Sequence, residues 1–276
     1  MNKYIVMSAI CKDENLYIKE WLDYHSAIGV EYFILYDNNS EVSLKKTLRS
    51  YNNVRVIDWK DSQDFTQIRA QRDCIEKYKN VRWIGFLDID EFVVLLNDSI
   101  DIKDYLQKYE AYDGVGLYWL AFGSNQHLTK QPDTIYSYTQ SSPNLLNFNK
   151  HIKCFINPST YNFKKTHWTS HWFPTKNNIV DVDCNSISEY WDSAYNFAKY
   201  MADESIKPIT DKTMRINHYY TRSLEDFKHK MKRGGGVKTN RVYSMKKYKR
   251  INKENIFNDD IIKTYNKIKD KRCNMD

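Results

Sequence analysis

The residues best suited to chemistry are Asp88-Ile89-Asp90-Glu91, three carboxylates within four positions. They follow Trp83-Ile84-Gly85-Phe86-Leu87, a short apolar run that reads as a buried strand. Three unpaired carboxylates buried at a strand end are costly. A divalent cation with a phosphate ligand offsets that cost. Mg²⁺ or Mn²⁺ takes one or two carboxylates and completes its shell with substrate phosphate oxygens. The same residues also suit an acidic turn after an edge strand. Their place favours a ligand, because open α/β sheets collect ligands at the carboxyl ends of strands.

An Asp-x-Asp at such a position supports two reactions. In the first, the carboxylates hold a metal that bridges a nucleotide-sugar diphosphate and acts as a Lewis acid on the leaving group. In the second, one Asp is a phosphoryl nucleophile and the other a general acid, as in haloacid dehalogenase-type phosphatases. That pattern normally sits on a first strand with Gly-Thr or Val-Thr behind it. Here it stands on a fourth strand and Glu91-Phe92 follows, which favours the metal-diphosphate reading.

The elements around the motif alternate. Strands are expected at Tyr4 to Ile10, Tyr32 to Tyr36, Val54 to Trp59 and from Trp83. Helices are expected at Glu14 to Ile28, Val42 to Tyr51 and Thr66 to Tyr78. Ile18, Trp21, Leu22 and His25 fall at helical spacing, Asp13 is placed to cap that helix, and Gly29 stops it. Such alternation predicts an α/β fold with a mainly parallel sheet and right-handed crossovers. Asp101 to Tyr109 reads as a helix and Gly114 to Phe122 as a strand. Residues 130 to 180 lack helical periodicity and read as irregular strands and loops over the open edge of the sheet. A helix is expected from about Ser188, a strand at Thr213 to Tyr219, a helix from Ser223 to Arg233 and a terminal helix at Asn258 to Arg272.

The chain has 276 residues with 22 Tyr, 12 Phe and 7 Trp, enough for a sizeable core. We expect one domain over 1–276: a nucleotide-binding half (1–92), an acceptor side and lid (93–236) and a basic helical tail (237–276). The net charge of +7 suits a polyanionic partner, but much of the excess falls near the C-terminus. Five cysteines without a CxxC pair argue against a disulfide framework or zinc site and suit a reducing cytosol. The N-terminal run is interrupted too soon for a signal peptide, and no run reaches the ~20 apolar residues of a membrane span. A cytoplasmic protein is expected. The Lys238 to Lys253 stretch interleaves Tyr243 and Tyr248 with cations, as nucleic-acid-binding surfaces do. It matches no recognised module, and a solvated basic tail, or one resting on an anionic membrane surface, suits it better.

Several stretches together carry a family resemblance: Cys11-Lys12-Asp13-Glu14-Asn15, Lys19-Glu20-Trp21-Leu22, Tyr24-His25, Gly29-Val30-Glu31-Tyr32-Phe33, Leu35-Tyr36-Asp37-Asn38, Phe86 to Phe92, Phe122-Gly123-Ser124 and Asn217 to Ser223. The chain resembles the glycosyltransferases of family 92 and related bacterial family 2-like enzymes. Asp13 stands where that family usually has Asn, Gln126 where Gly is common and Arg222 where Lys is usual. The resemblance implies a GT-A-type fold and sugar transfer from a nucleotide donor, usually a UDP-sugar, to a glycan or lipid-linked acceptor, with inversion. It implies Asp13 and Asp37 near the base and ribose, Arg72 on the nucleotide, and His218 as a third ligand to Mn²⁺ or Mg²⁺ beside Asp88 and Asp90. Each also has a structural reading: helix cap, turn residue, solvated charge and satisfied core histidine respectively. His167 and His171 compete with His218, and acceptor or donor contacts suit them better.

An inverting transfer needs a general base. Asp181, Asp183 and Glu189 lie in the segment expected on the acceptor side, and the sequence does not choose among them. Trp119, Trp168 and Trp172 suit sugar stacking and core packing equally. Lys230 and Arg233, three apart on one helix face, are expected to grip the diphosphate from a lid hinged at Gly234-Gly235-Gly236.

Overall fold

The computed structural model describes residues 3–234, 243–253 and 255–273, with side chains as far as Asp270. The N-terminal third builds as its pattern predicts. Strands β1 (Ile5–Cys11), β2 (Tyr32–Asp37), β3 (Val54–Asp58) and β4 (Trp83–Phe86) alternate with helices α1 (Ile18–Ala27), α2 (Leu44–Thr47) and α3 (Thr66–Lys77). The strands pair in parallel in the order β3-β2-β1-β4. Ile18, Trp21, Leu22 and His25 are all fully buried, so the periodic stripe of α1 is its core face. Asp13 does not cap α1. The helix starts after Tyr17 without a side-chain cap. Gly29 closes it at φ +102°, and a Cβ there would lie 2.4 Å from Asp101 Oδ1.

The chain then departs from the reading. A strand that the sequence reading missed, β5 (Glu91–Leu95), follows β4 after only four residues. After α4 (Ile102–Leu106) come β6 (Gly114–Ala121), β7 (Gln140–Ser141), α5 (Leu146–Asn149), β8 (Ile152–Ile156) and β9 (Ile179–Val180). Next are α6 (Ser188–Trp191), α7 (Ala194–Ala202), β10 (Met214–His218), α8 (Leu224–Arg233), α9 (Met245–Ile251), β11 (Ile256–Phe257) and α10 (Asp260–Cys273). The main sheet runs β3-β2-β1-β4-β8-β6-β10-β5, with β9 beside β6. Only β8 and β5 run against the rest, so it is mainly parallel, as expected. In a flat sheet four strand spacings, about 19 Å, would separate β4 from β5. The five Cα steps from Phe86 to Glu91 reach at most about 18 Å. The sheet must curl, and it brings β5 back under α1.

β5 is an edge strand, and its outer edge is closed by side chains. Trp21 Nε1 donates to Glu91 O (2.8 Å), Tyr24 Oη to Val93 O (2.7 Å) and Thr264 Oγ1 to Leu95 O (2.9 Å). The Val93 N–H donates to His25 Nε2 (3.2 Å). Unpaired strand edges invite association; here helices α1 and α10 satisfy the edge. That overturns the expectation of a C-terminal tail for the described part of 237–276. Ile261 and Ile268 of α10 are 1% exposed and belong to the main core cluster. Arg215 pairs with Asp260 at 2.9 Å. Among the described residues no helix is long and apolar enough to cross a membrane.

Candidate active site

Asp88 and Asp90 sit in the turn that joins β4 to β5. The turn is tied to β1 by Leu87 N–H to Ser8 O (3.2 Å) and to the end of β10 by Tyr219 N–H to Asp90 O (2.8 Å). Asp88 accepts hydrogen bonds from Gln67 Nε2 (2.8 Å) and Lys153 Nζ (2.9 Å). Lys153 is buried on β8 and also lies 3.3 Å from Glu91 Oε2. Burial opposes its charge, but Asp88 and Glu91 outweigh that and raise its pKa. Glu91 is buried too, and burial lifts its carboxyl well above the usual range against the pull of Lys153. Its Oε2 accepts the Asp88 N–H at 2.8 Å, which fixes the turn.

Asp90 faces another group of partners. Its carboxylate pairs with Lys230 Nζ at 2.5 Å and lies 3.6 Å from His218 Nε2. Burial disfavours the charge, yet Lys230 and then His218 hold the Asp90 pKa well below the carboxylate range. Burial pushes His218 down to about 4 despite Asp90, so its imidazole is neutral near pH 7. Among the described residues His218 Nδ1 has no hydrogen-bond partner and lies 3.9 Å from Glu91 Oε1. Behind them Glu14 pairs with Arg222 (2.9 Å) and Arg233 (2.8 Å). Arg222 also donates to Ile89 O (2.7 Å) and lies 3.8 Å from the Tyr17 ring centre. The middle residue of the Asp-x-Asp is thereby fixed from the segment that follows β10.

Of these groups Glu14, Gln67, Asp88, Asp90, His218, Lys230 and Arg233 line a cleft of about 240 Å³ at the carboxyl ends of the parallel strands, together with Asn38, Asn39, Thr66, Trp119, Ser170, His171 and Tyr220. Opposite charges are paired within it, and both aspartates reach its surface. It can take an anionic ligand against Lys230 and Arg233 and a cation against Asp90 and His218.

The family model described as Glycosyltransferase family 92 matches residues 6–271. The chain belongs to glycosyltransferase family 92. A family 92 protein of Oryza sativa subsp. japonica is 30% identical over 115 residues, 38% of this chain and 18% of that one. One of Arabidopsis thaliana is 30% identical over 117 residues, 36% of this chain and 19% of that one. The matched stretch spans about a fifth of the length of these relatives. Among solved structures, HddC from Yersinia pseudotuberculosis aligns over 72% of this chain and 98% of its own, with 10% identity and a TM-score of 0.38. Glucosyl-3-phosphoglycerate synthase from Mycobacterium tuberculosis, in complex with Mn²⁺, UDP and glucosyl-3-phosphoglycerate, aligns over 42% of this chain and 44% of its own. Its identity is 14% and its TM-score 0.30.

Of the residues expected to serve a family 92 site, Asp88, Asp90, His218, Lys230 and Arg233 line the cleft. The others need correction. Asp37 is buried, and its oxygens accept Ser40 N–H (3.1 Å) and Leu44 N–H (3.0 Å); it builds the turn that presents Asn38 and Asn39. Asp13 sits at φ +57°, bonded to Glu41 N–H (2.8 Å) and Ser40 Oγ (2.9 Å), and it does not line the cleft. Arg72 turns away to the Tyr161 and Phe163 rings, 5.9 and 5.6 Å from their centres. None of the three proposed bases reaches the cleft. Asp181 closes its own turn by accepting Asp183 and Asn185 N–H bonds (2.9 and 3.0 Å). Asp183 pairs with Lys212, and Glu189 is exposed on α6.

His171 lines the cleft, whereas His167 is buried and bonded to Tyr161 Oη (3.1 Å). Trp119 lines it, while Trp168 donates to Trp191 O (2.9 Å) and Trp172 is buried in the core. Tyr243 is largely buried and lines the cleft, and Tyr248 packs on Phe227 at 5.2 Å, so the two do not form an exposed stripe for stacking bases. Gly235, Gly236 and Lys238 to Val242 of the expected hinge and basic stretch lie outside the described residues.

Sequence reasoning missed Lys153, Gln67, Glu14 and Arg222. Lys153 left a signal: it is the one charge in the apolar run Ile152–Ile156, and a charge in a buried strand needs a partner.

Proposed function

We propose that this family 92 chain moves a sugar from a nucleoside-diphosphate donor, a UDP-sugar by class, to a hydroxyl of a glycan or lipid-linked acceptor, with inversion. The observation that carries the reading is Asp90, held between a neutral imidazole and a lysine on one wall of the cleft. Lys230 and Arg233 share a face of α8. Arg233 offers a diphosphate two parallel donors and Lys230 a point charge.

The residues fit a divalent cation as a partial site. Asp90 is ionised and His218 neutral, the forms that metal ligands need. Among the described residues no group of three or more His, Cys, Asp or Glu side chains is clustered to hold a metal. Asp90 and His218 would hold Mn²⁺ or Mg²⁺ together with donor phosphate oxygens, a pattern typical of such hard cations. Bound there, the cation would offset charge on the departing nucleoside diphosphate. Asp88, 35% exposed and oriented by Gln67 and Lys153, is left to contact the donor. A cytoplasmic location, with the exposed cations of α9 resting on an anionic membrane surface, belongs to the same proposal.

Screening a panel of nucleotide sugars for Mn²⁺-dependent hydrolysis tests this directly. One donor should be turned over, and Asp88→Asn and Asp90→Asn should each lower the rate by about 10²-fold or more. Full activity of Asp90→Asn, or in excess chelator, would remove the metal from the proposal; full activity of Asp88→Asn would remove Asp88 from the donor site. Hydrolysis of simple phosphate esters with trapping by beryllium fluoride would replace sugar transfer with the phosphatase reaction.

A further inference from the structure

A second pocket, of about 370 Å³, lies between α5, the end of α7 and α9. We propose that it is the acceptor site, and that it holds the hydrocarbon chain of an acceptor linked through phosphate to a lipid. The proposal rests on the sugar-transfer reading and names its acceptor class.

The pocket has two kinds of wall. Leu145, Phe148, Met201 and Ile251 make an apolar floor. Lys246, Lys247 and Arg250 form its rim. Lys246 and Lys247 stand four and three positions before Arg250 on α9, so each neighbours it on the helix surface, where like charges repel. Among the described residues no ion pair is formed by Lys246 or Arg250, so a bound anion would relieve that repulsion. An apolar floor alone would take any hydrocarbon, and a basic rim alone any phosphate. Side by side they fit one amphiphile, a chain that ends in phosphate. The volume falls at the low end of the range for small-ligand pockets, roughly 300–1,000 Å³.

The position joins this pocket to the chemistry. Phe148 stacks on His218 at 5.7 Å and meets Tyr220 edge-on at 5.2 Å, and His151 stacks on Trp119 at 4.8 Å. His218, Tyr220 and Trp119 line the donor cleft, so one aromatic wall divides the two cavities. Lys247 Nζ lies over the Phe148 and Tyr220 rings, 5.0 and 4.2 Å from their centres, at the seam. A molecule anchored by its chain would present its phosphate to α9 and its sugar-accepting end to the cleft. A bilayer surface would engage the exposed cations without needing the apolar floor.

Octyl phosphate, inorganic phosphate and octyl glucoside, titrated calorimetrically into the full chain, separate these cases. Octyl phosphate should bind at least about tenfold more tightly than either control, since it alone meets both walls. Lys246→Ala and Arg250→Ala should each weaken it about threefold, as befits exposed charges. Leu145→Trp and Met201→Trp fill the floor and should abolish octyl phosphate binding, with thermal unfolding checking that each is folded. Equal affinity for either control, unchanged binding in both tryptophan variants, or capture by phosphatidylglycerol vesicles alone would overturn the pocket. Nucleotide-sugar hydrolysis is read separately. Its absence beside the expected octyl phosphate binding would sink sugar transfer and leave the pocket standing.

Discussion

Lys153 holds the motif at the scale of single residues. Its ammonium is the only cation that touches both Asp88 and Glu91 among the described residues. Removing one partner of a buried pair costs about 3–5 kcal/mol. Asp88 is partly exposed, which puts Lys153→Met at the low end, about 3 kcal/mol. Urea denaturation measures it, and a loss under about 1 kcal/mol would mean the pair is dispensable. His25 gives a pH test away from the cleft. Burial pushes it down to about 3 from an ordinary 6.5, and its Nε2 must stay unprotonated to accept the Val93 N–H. Between those values the unfolded chain binds a proton that the folded chain does not. Its contribution is therefore complete above pH 6.5 and is lost as pH falls toward 3, at about 1.4 kcal/mol per pH unit. From pH 5.5 to 4.5 the wild type should lose about 1.4 kcal/mol more than His25→Gln. Parallel losses in the two proteins would show that His25 protonates freely.

At the scale of elements, α8 carries both Lys230 and Arg233, and its start is fixed by a capping box. Ser223 Oγ accepts Asp226 N–H (3.1 Å), and Asp226 Oδ2 accepts Ser223 N–H (3.2 Å) and Tyr17 Oη (2.9 Å). Ser223→Ala should cost about 1 kcal/mol and weaken nucleoside-diphosphate binding more than nucleoside binding, because the loosened groups are those proposed to hold phosphate. Calorimetry on both ligands separates the two; an equal change in both would detach α8 from the diphosphate. The elements most legible in sequence were β1, β2 and β4, because parallel strands buried on both faces read as apolar runs with polar ends. β5 was hidden because Glu91, its first residue, looks like the end of an acidic turn. β8 was hidden among loop-like neighbours because its partners, β4 and β6, lie far off in sequence. The expected bases failed for a related reason. An aspartate that closes its own turn, as Asp181 does, has the same spelling as one that takes a proton. Glu14, Arg222 and Arg233 meet only after most of the chain has intervened, and no local pattern announces such a pairing.

At the scale of the whole molecule, the C-terminal helix is part of the core. Thr264 closes the β5 edge, and Tyr24 packs on Tyr265 at 5.4 Å. A chain truncated at residue 258 would bare Leu95 O and the sites filled by Ile261 and Ile268. Losing two buried isoleucines costs about 2–5 kcal/mol each when cut to Ala, so truncation should abolish most of a typical 5–15 kcal/mol stability. Circular dichroism and urea titration would show it. A truncated chain with an unchanged midpoint would restore the view of a tail.

The short link between β4 and β5 also bears on the order in which the protein assembles. Asp88 and Asp90 are made early, beside strands whose partners are close in sequence. Yet β5 pairs Leu95 with Met214, more than a hundred residues later, and Asp90 itself is pinned by Tyr219 and Lys230. Closing so long a loop is slow, because its entropy is lost before the contacts form. The nascent chain can therefore complete its first four strands while the carboxylate turn waits for β10 and α8. The turn is set only when those late segments dock, so a partly made chain carries the motif without a working cleft.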